Sequence, residues 1–178
     1  MSSTFGQTSV LGTPLGLGLN QCLVAKATLT ETGVVSKITA YMANQAGSHA
    51  NCYVRGVCYT DNSGRAQTRV FSTDPTQVLD NAAAAWVDFV LATPQELSAG
   101  DYWIGMHVDA DGEGLTVNYA ETGGSGADSM TNNLYADGDA DTFSSATYVA
   151  TRDISTYATY ELPSTGFTGL TVTRLLNG

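Results

Sequence analysis

The sequence predicts an all-β protein whose fold is an antiparallel, jelly-roll-like β-sandwich with extended N- and C-terminal arms. Roughly eight to ten short segments alternate apolar with polar residues, and turn signals separate them at spacings of about 8–12 residues. No segment carries the apolar period of a stable helix. The chain has 178 residues, of which 43% are hydrophobic, so we expect a single domain with a substantial core.

The order of the elements divides the chain into three parts. Residues 1–21 are rich in glycine and low in charge, and we interpret them as an N-terminal arm. Residues 22–162 are predicted to form the sandwich, and residues 163–178 a C-terminal strand or arm. Within the sandwich, alternation predicts strands near residues 23–29, 34–42, 51–60, 65–72, 85–91, 102–108, 115–119 and 154–162.

Two of these strands are predicted to form the centre of the core, the one that contains Trp86 and the one at Tyr102–Val108. In the second strand Ile104 and its even-numbered neighbours share one face, whereas Trp103 and His107 lie on the other. The even-numbered face is apolar and is expected to be buried. The sequence leaves open whether the Trp103 face is a second core surface or an exposed stripe.

The charge balance excludes some classes of partner. Charged residues make up 13% of the chain, about half of the usual ~25%, and the net charge is −10. Nucleic acid and anionic membranes are therefore not expected partners. Residues 1–8 lack the regions of a secretory signal, and glycine and proline interrupt the apolar stretch at 11–19. We expect a soluble protein that is made in a cytoplasm.

The three cysteines are predicted to be free, buried thiols. Cys52 and Cys58 share one face of a predicted strand and stand about 20 Å apart if it is straight. A disulfide requires Cα atoms within about 7 Å, so these two do not pair on such a strand. Cys22 could meet either of them across a sheet.

No catalytic constellation is recognisable in the sequence. Nucleophile, phosphate-loop and zinc motifs are all missing, and the two histidines, His49 and His107, are isolated from each other. A histidine without a paired nucleophile is more often structural or solvated than catalytic. We therefore expect a protein that is not an enzyme.

Two acidic loops present alternating carboxylates. Asp109, Asp111 and Glu113 offer the hard oxygen ligands that calcium requires, although this loop lacks further ligands of the EF-hand pattern. The aspartates at 137, 139 and 141 repeat the spacing. We interpret both loops as solvated turns and expect no cofactor, with calcium at the first loop as the alternative.

Five phrases follow one another along the chain and carry a resemblance. They are Phe5–Thr8, Ile38–Tyr41, Val57–Asp61, the strand from Trp86 to Leu91, and Leu97–Gly105 with its Gly-Asp-Tyr-Trp turn and strand. This order resembles jelly-roll-like β-sandwich modules of tailed-phage virion proteins, which also recur in bacterial surface proteins. The resemblance covers roughly residues 5–120. Its motifs are structural, so no functional residues are carried over.

The resemblance implies a structural protein of a phage virion, most of all a capsid decoration or head-fibre subunit, assembled in the host cytoplasm. The expected partners are the major capsid protein or other virion proteins and further copies of the chain, with a trimer favoured. Apolar side chains in free tails would be poorly placed, so at least one of the arms is expected to pack on a neighbouring chain, as a swapped arm or an added strand. The predicted interface residues are Leu11, Leu15, Leu17, Leu19, Phe167, Leu170, Leu175 and Leu176.

The alternative function is a carbohydrate-binding module that recognises host or environmental glycans. The chain has nine tyrosines and two tryptophans, and exposed aromatic faces serve as stacking platforms for sugars. Most of these aromatic residues occupy alternating strand positions, where core packing is the default. Exposed coplanar rings would favour the glycan function, and ordered arms on other chains would favour the virion function.

Overall fold

The computed structural model describes residues 1–44, 52–109, 114–121, 126–130, 135–144, 147–149 and 151–163. In these residues the chain folds into two antiparallel sheets that pack against each other, so the predicted all-β sandwich is confirmed. The helical structure in the described ranges is one 3-10 turn at Tyr135–Asp137. None of the helical structure described is long and apolar enough to cross a membrane.

Fourteen strands are present in the described residues. They are β1 (Ser2–Gly6), β2 (Thr13–Gly16), β3 (Cys22–Leu29), β4 (Gly33–Asn44), β5 (Cys52–Asn62), β6 (Arg65–Ser72), β7 (Thr76–Val78), β8 (Ala85–Leu97), β9 (Gly100–Val108), β10 (Leu115–Ala120), β11 (Ala127–Met130), β12 (Thr147–Val149), β13 (Asp153–Ile154) and β14 (Thr156–Glu161).

The long strand β4 organises sheet A. It pairs with β8, β10 and β14, while β1 pairs with β14, and β2 and β13 pair with β10. Sheet B has the order β12-β11-β3-β9-β5-β6, with β7 also paired to β5. Strand β9 therefore lies near the middle of sheet B, between β3 and β5.

The main core lies between the sheets and takes alternate residues from the inner face of each strand. Strand β9 contributes Ile104, Met106 and Val108, which confirms the predicted alternation of that strand. Sheet A contributes Ile38 and Phe89, which are also completely buried. Burial of each large apolar side chain of this kind stabilises the fold by about 1.5–3 kcal/mol.

The part of the outer face of sheet B around Trp103 is buried as well, which answers the question that the sequence leaves open for this residue. Trp103 is completely buried in a second, smaller apolar cluster that also contains Tyr59 and Phe143. The rings of Tyr59 and Phe143 meet edge to face at 5.0 Å. Trp103 Nε1 donates a hydrogen bond to Asp61 Oδ1 at 2.8 Å, so the indole is satisfied. The segment 135–144 covers this face.

The strand that contains Trp86 contributes to the core as predicted, but Trp86 itself does not lie there. Val87, Phe89 and Leu91 point inward from β8, and the period of two then places Trp86 on the outer face of sheet A. Trp86 is half-buried there. Phe89 takes the central core position that the prediction gives to the tryptophan.

Residues 1–21 belong to the sandwich and are not a separate arm, which corrects the predicted boundary. Strand β1 pairs with β14 and strand β2 with β10. Phe5 is buried between the sheets, with its ring 6.1 Å from Tyr160 and 6.4 Å from Tyr102. Of the predicted C-terminal arm, residues 164–178 lie outside the described residues.

All three cysteines are free and buried, as the sequence predicts. Cys52 and Cys58 face the main core from the same side of β5. Cys22 lies in the second cluster, on the opposite face of sheet B. The sheet therefore separates Cys22 from the other two thiols.

Candidate functional site

A group of ionisable side chains lies on the outer face of sheet B, beneath the segment 135–144. Arg55 of β5 and His107 of β9 are opposite each other in register, and Asp139 lies over both. The Nδ1 atom of His107 is 2.6 Å from Asp139 Oδ1, and Arg55 Nη1 is 3.9 Å from Asp139 Oδ2. The Tyr135 ring lies 5.2 Å from the His107 ring and 4.2 Å from the Arg55 guanidinium. We call these four residues the buried ionic cluster.

The buried ionic cluster keeps a carboxylate charged away from water. Burial raises the pKa of Asp139, but hydrogen bonds from His107 and Ser72, together with the charge of Arg55, lower it by more. The net result is a pKa below the usual value for aspartate. The hydrogen bonds and the charge of Arg55 therefore compensate for the water that Asp139 loses.

A histidine paired with a carboxylate is also the arrangement that activates a nucleophile in hydrolases. The candidate nucleophile here is Cys22, which lies opposite His107 in the register of β3 and β9. Both side chains are completely buried. Burial raises the pKa of the Cys22 thiol, so the reactive thiolate does not form. The arrangement in this structure holds 135–144 on sheet B.

Two further ion pairs lie on the same surface of sheet B. Arg69 pairs with Asp141 at 2.5 Å and also donates to the backbone oxygen of Asp139. Arg65 binds Asp128 through two hydrogen bonds of 3.0 and 3.3 Å. The interpretation of residues 137–141 as a solvated turn is therefore wrong for Asp139, which is buried. One signal in the sequence indicated a buried polar partner of this kind. His107 shares a face with Trp103, and a buried histidine requires a polar partner.

The predicted calcium loop is only partly within the described residues. Asp109 is buried, and its Oδ2 accepts a hydrogen bond of 2.7 Å from the backbone N–H of Tyr53. Asp111 and Glu113 lie outside the described residues. Within the part of the chain that the structure describes, no three His, Cys, Asp or Glu side chains come together in a way that could hold a metal ion. The expectation of no cofactor, with calcium at this loop as the alternative, stays a prediction.

The predicted interface leucines of the N-terminal segment occupy different environments. Leu17 is 5% exposed and belongs to the core, so the prediction that it contacts another chain is corrected. Leu15 packs against the core, and the backbone of Leu11 is bonded to Ser155 and Asn118. Leu19 is 47% exposed and stays a candidate contact. The C-terminal candidates Phe167, Leu170, Leu175 and Leu176 lie outside the described residues.

Three aromatic rings from three strands meet on the outer face of sheet A. Tyr41 and Trp86 are opposite each other on β4 and β8, with ring centroids 5.3 Å apart. The ring of Tyr157 of β14 lies 5.2 Å from that of Trp86. All three rings are half-buried and meet edge to face. We call Tyr41, Trp86 and Tyr157 the aromatic face.

Sequence reasoning missed the aromatic face, although β8 carried the signal for it. Phe89 and Leu91 form an apolar series with Val87, and Asp88 alternates with them. Trp86 shares the parity of Asp88, which places it on the polar side of the strand. The size of tryptophan outweighed its position in the prediction.

No protein-family model matches the chain, and no curated protein matches it.

Proposed function

We propose that this protein is a non-enzymatic structural protein of a phage virion, a capsid decoration or head-fibre subunit, and that it joins its neighbours by strand addition at β1. The resemblance of the sequence supports the virion assignment. The observation that carries the mode of assembly is the unprotected edge of β1 in sheet A.

The backbone of β1 presents hydrogen-bonding groups away from its partner β14. The Gln7 N–H donates to the Thr156 oxygen at 2.8 Å, and amide direction alternates along a strand. The N–H groups of Ser3 and Phe5 therefore also point towards β14. The N–H groups of Thr4 and Gly6 point to the free side, where β1 has no paired strand among the described residues. Such an edge is a template for a strand from another chain.

The composition of β1 sets it apart from the other outer strands of sheet A. Strand β2 contains Pro14, and β8 contains Pro94 and Glu96, residues that block pairing at an edge. Strand β1 reads Ser-Ser-Thr-Phe-Gly and has neither charge nor proline. Phe5 anchors it in the core, so its geometry is fixed before a partner arrives. We propose that β1 accepts a strand from a neighbouring copy of the chain.

The test is the mass of the native assembly, measured by native mass spectrometry for the full chain and two variants. Thr4→Pro removes an outward N–H, and no bond to β14 is lost. Thr4→Val is the matched control, since it keeps the N–H and a strand-forming side chain. We expect an oligomer for the full chain and for Thr4→Val, and a monomer of unchanged melting temperature for Thr4→Pro. A full chain that stays monomeric, or a Thr4→Pro variant that assembles normally, would contradict the proposal.

A further inference from the structure

We infer that the aromatic face binds a neutral glycan, a function that is independent of assembly at β1. The face lies on β4, β8 and β14, and its three rings point away from the core. The edge-to-face contacts hold each ring in place and leave part of it in solvent.

A set of polar groups adjoins the rings on the same face. Asp88 lies one same-face position from Trp86, about 7 Å along β8. Its Oδ1 accepts a hydrogen bond of 2.7 Å from Thr39, and its Oδ2 contacts Lys37 Nζ at 2.6 Å. The side chains of Lys37 and Asp88 remain 31% and 46% exposed. The pair is therefore held in place and still offers donors and acceptors to a ligand.

The combination of rings and polar groups indicates the chemistry of the ligand. A sugar ring presents C–H groups that pack on an aromatic side chain and hydroxyls that need both donors and acceptors. Apolar surface with a few fixed polar groups is the general form of a small-molecule site. The rings of Tyr41 and Tyr157 make angles of 68° and 63° with that of Trp86, so the face is not a coplanar platform. The half-exposed ring of Trp86 supplies the first part, and the Lys37–Asp88 pair beside it supplies the second.

Charge indicates that the glycan is neutral. The chain carries a net charge of −10. Each lysine and arginine that the structure describes is paired with a carboxylate, Lys37 included. An anionic sugar would meet a negative field and no uncompensated cation among these side chains.

The same ion pair argues against a protein as the occupant. The centres of protein interfaces are depleted of charged residues. Here the exposed Lys37–Asp88 pair lies between Trp86 and the exposed Val90 of β8, so it interrupts the apolar surface. A glycan accepts such a pair as a hydrogen-bonding group, whereas a flat protein surface would have to bury it.

The experiment begins with the full chain on an array of neutral, sialylated and sulfated oligosaccharides. Binding of any neutral oligosaccharide is then measured by isothermal titration calorimetry for the wild type and for Trp86→Ala, Asp88→Asn and Tyr53→Ala. Tyr53 is the matched control, because it is an exposed tyrosine of sheet B. We expect at least a tenfold loss of affinity for Trp86→Ala and Asp88→Asn, and none for Tyr53→Ala.

Fluorescence gives a second measurement, because Trp103 is completely buried and Trp86 is half-exposed. The neutral ligand should therefore change the emission of the wild type and leave that of Trp86→Ala unchanged. Thr4→Pro should bind as the wild type does, which separates this inference from the assembly proposal. The inference is overturned if no neutral oligosaccharide binds, if only charged ones bind, or if Trp86→Ala and Asp88→Asn, with native melting temperatures, bind like the wild type.

Discussion

Substitutions of Trp86 and Trp103 should differ in their effect on the stability of the protein. The fold buries the Trp103 indole completely and leaves that of Trp86 on a surface. Trp103→Ala opens a cavity in the second cluster and is expected to lower the free energy of unfolding by about 3–5 kcal/mol. Trp86→Ala removes two edge-to-face contacts at the surface and should cost about 1–2 kcal/mol. Urea unfolding followed by circular dichroism measures both. If Trp86→Ala lowered the free energy of unfolding as much as Trp103→Ala or more, the placement of Trp86 at the surface would be contradicted.

Asp139 should make the free energy of unfolding depend on pH in the acid range. Its pKa is lower in the folded chain than the usual 3.8, so near and below that pH the unfolded state binds more protons. The stabilisation from Asp139 is therefore complete above about pH 4 and is lost as the pH falls through its lowered pKa. Asp139→Asn leaves Arg55 and His107 without their carboxylate and should cost about 3–5 kcal/mol at pH 7.

The measurement for Asp139 is the free energy of unfolding between pH 2 and pH 7 for the wild type and Asp139→Asn. The difference between the two proteins should shrink below about pH 4. Asp141→Asn is the control, since the Asp141 side chain is 88% exposed and its pair with Arg69 is worth little. A difference that stays constant across this pH range would mean that Asp139 carries no charge in the folded state.

Single residues show how far the sequence predicts sites in this protein. The face of β9 that carries Trp103 and His107 followed from alternation alone, because the strand period is local. The partner of His107 did not, since Asp139 lies 32 residues away and only the tertiary fold brings it near. Trp86 was misplaced because its size was given more weight than its parity with Asp88.

Two glycines are required by the local backbone, Gly105 in β9 and Gly64 in the turn between β5 and β6. A Cβ on Gly105 would lie 2.0 Å from the Leu23 oxygen and 2.7 Å from Val24 Cα, so β3 could not stay paired to β9. Gly64 has open space but a φ of +82°, and Ser63 beside it has a φ of +55°. Two successive left-handed residues form the type I′ turn that suits a tight hairpin.

These two glycines give a matched pair of substitutions. Gly64→Ala should cost about 1–2 kcal/mol, which is the strain of a left-handed alanine. Gly105→Ala should cost at least about 3 kcal/mol, because backbone atoms of β3 must move. Urea unfolding of both variants checks the order. If Gly105→Ala is no more destabilising than Gly64→Ala, β3 and β9 are not paired as described.

Elements were predictable where their signal is local. The strands and the hairpin at residues 61–64 followed from alternation and turn residues. The position of β1 did not, because its partner β14 lies about 150 residues further along the chain and the glycine-rich segment reads as an arm. Phe5 was one clue, since a large aromatic among small residues favours burial.

At the scale of the whole molecule, the sandwich separates the two proposed functions. Among the strands that the structure describes, β1 pairs on one side only, and the aromatic face lies on the surface of the same sheet. The buried ionic cluster holds the segment 135–144 on sheet B. A subunit with one edge for neighbours and one face for glycans is suited to an exposed position on a virion, and both proposals can fail separately.

Residue-resolved hydrogen exchange of the native assembly and of the Thr4→Pro protein tests strand addition at β1 most directly. The amides of Ser3 and Phe5 point towards β14 and should be protected in both proteins. The Gly6 amide points outwards, and so does that of Thr4 in the wild type. These outward amides should be protected in the assembly, and Gly6 should exchange rapidly in the Thr4→Pro protein. Rapid exchange at Thr4 and Gly6 in the assembly would contradict strand addition at β1.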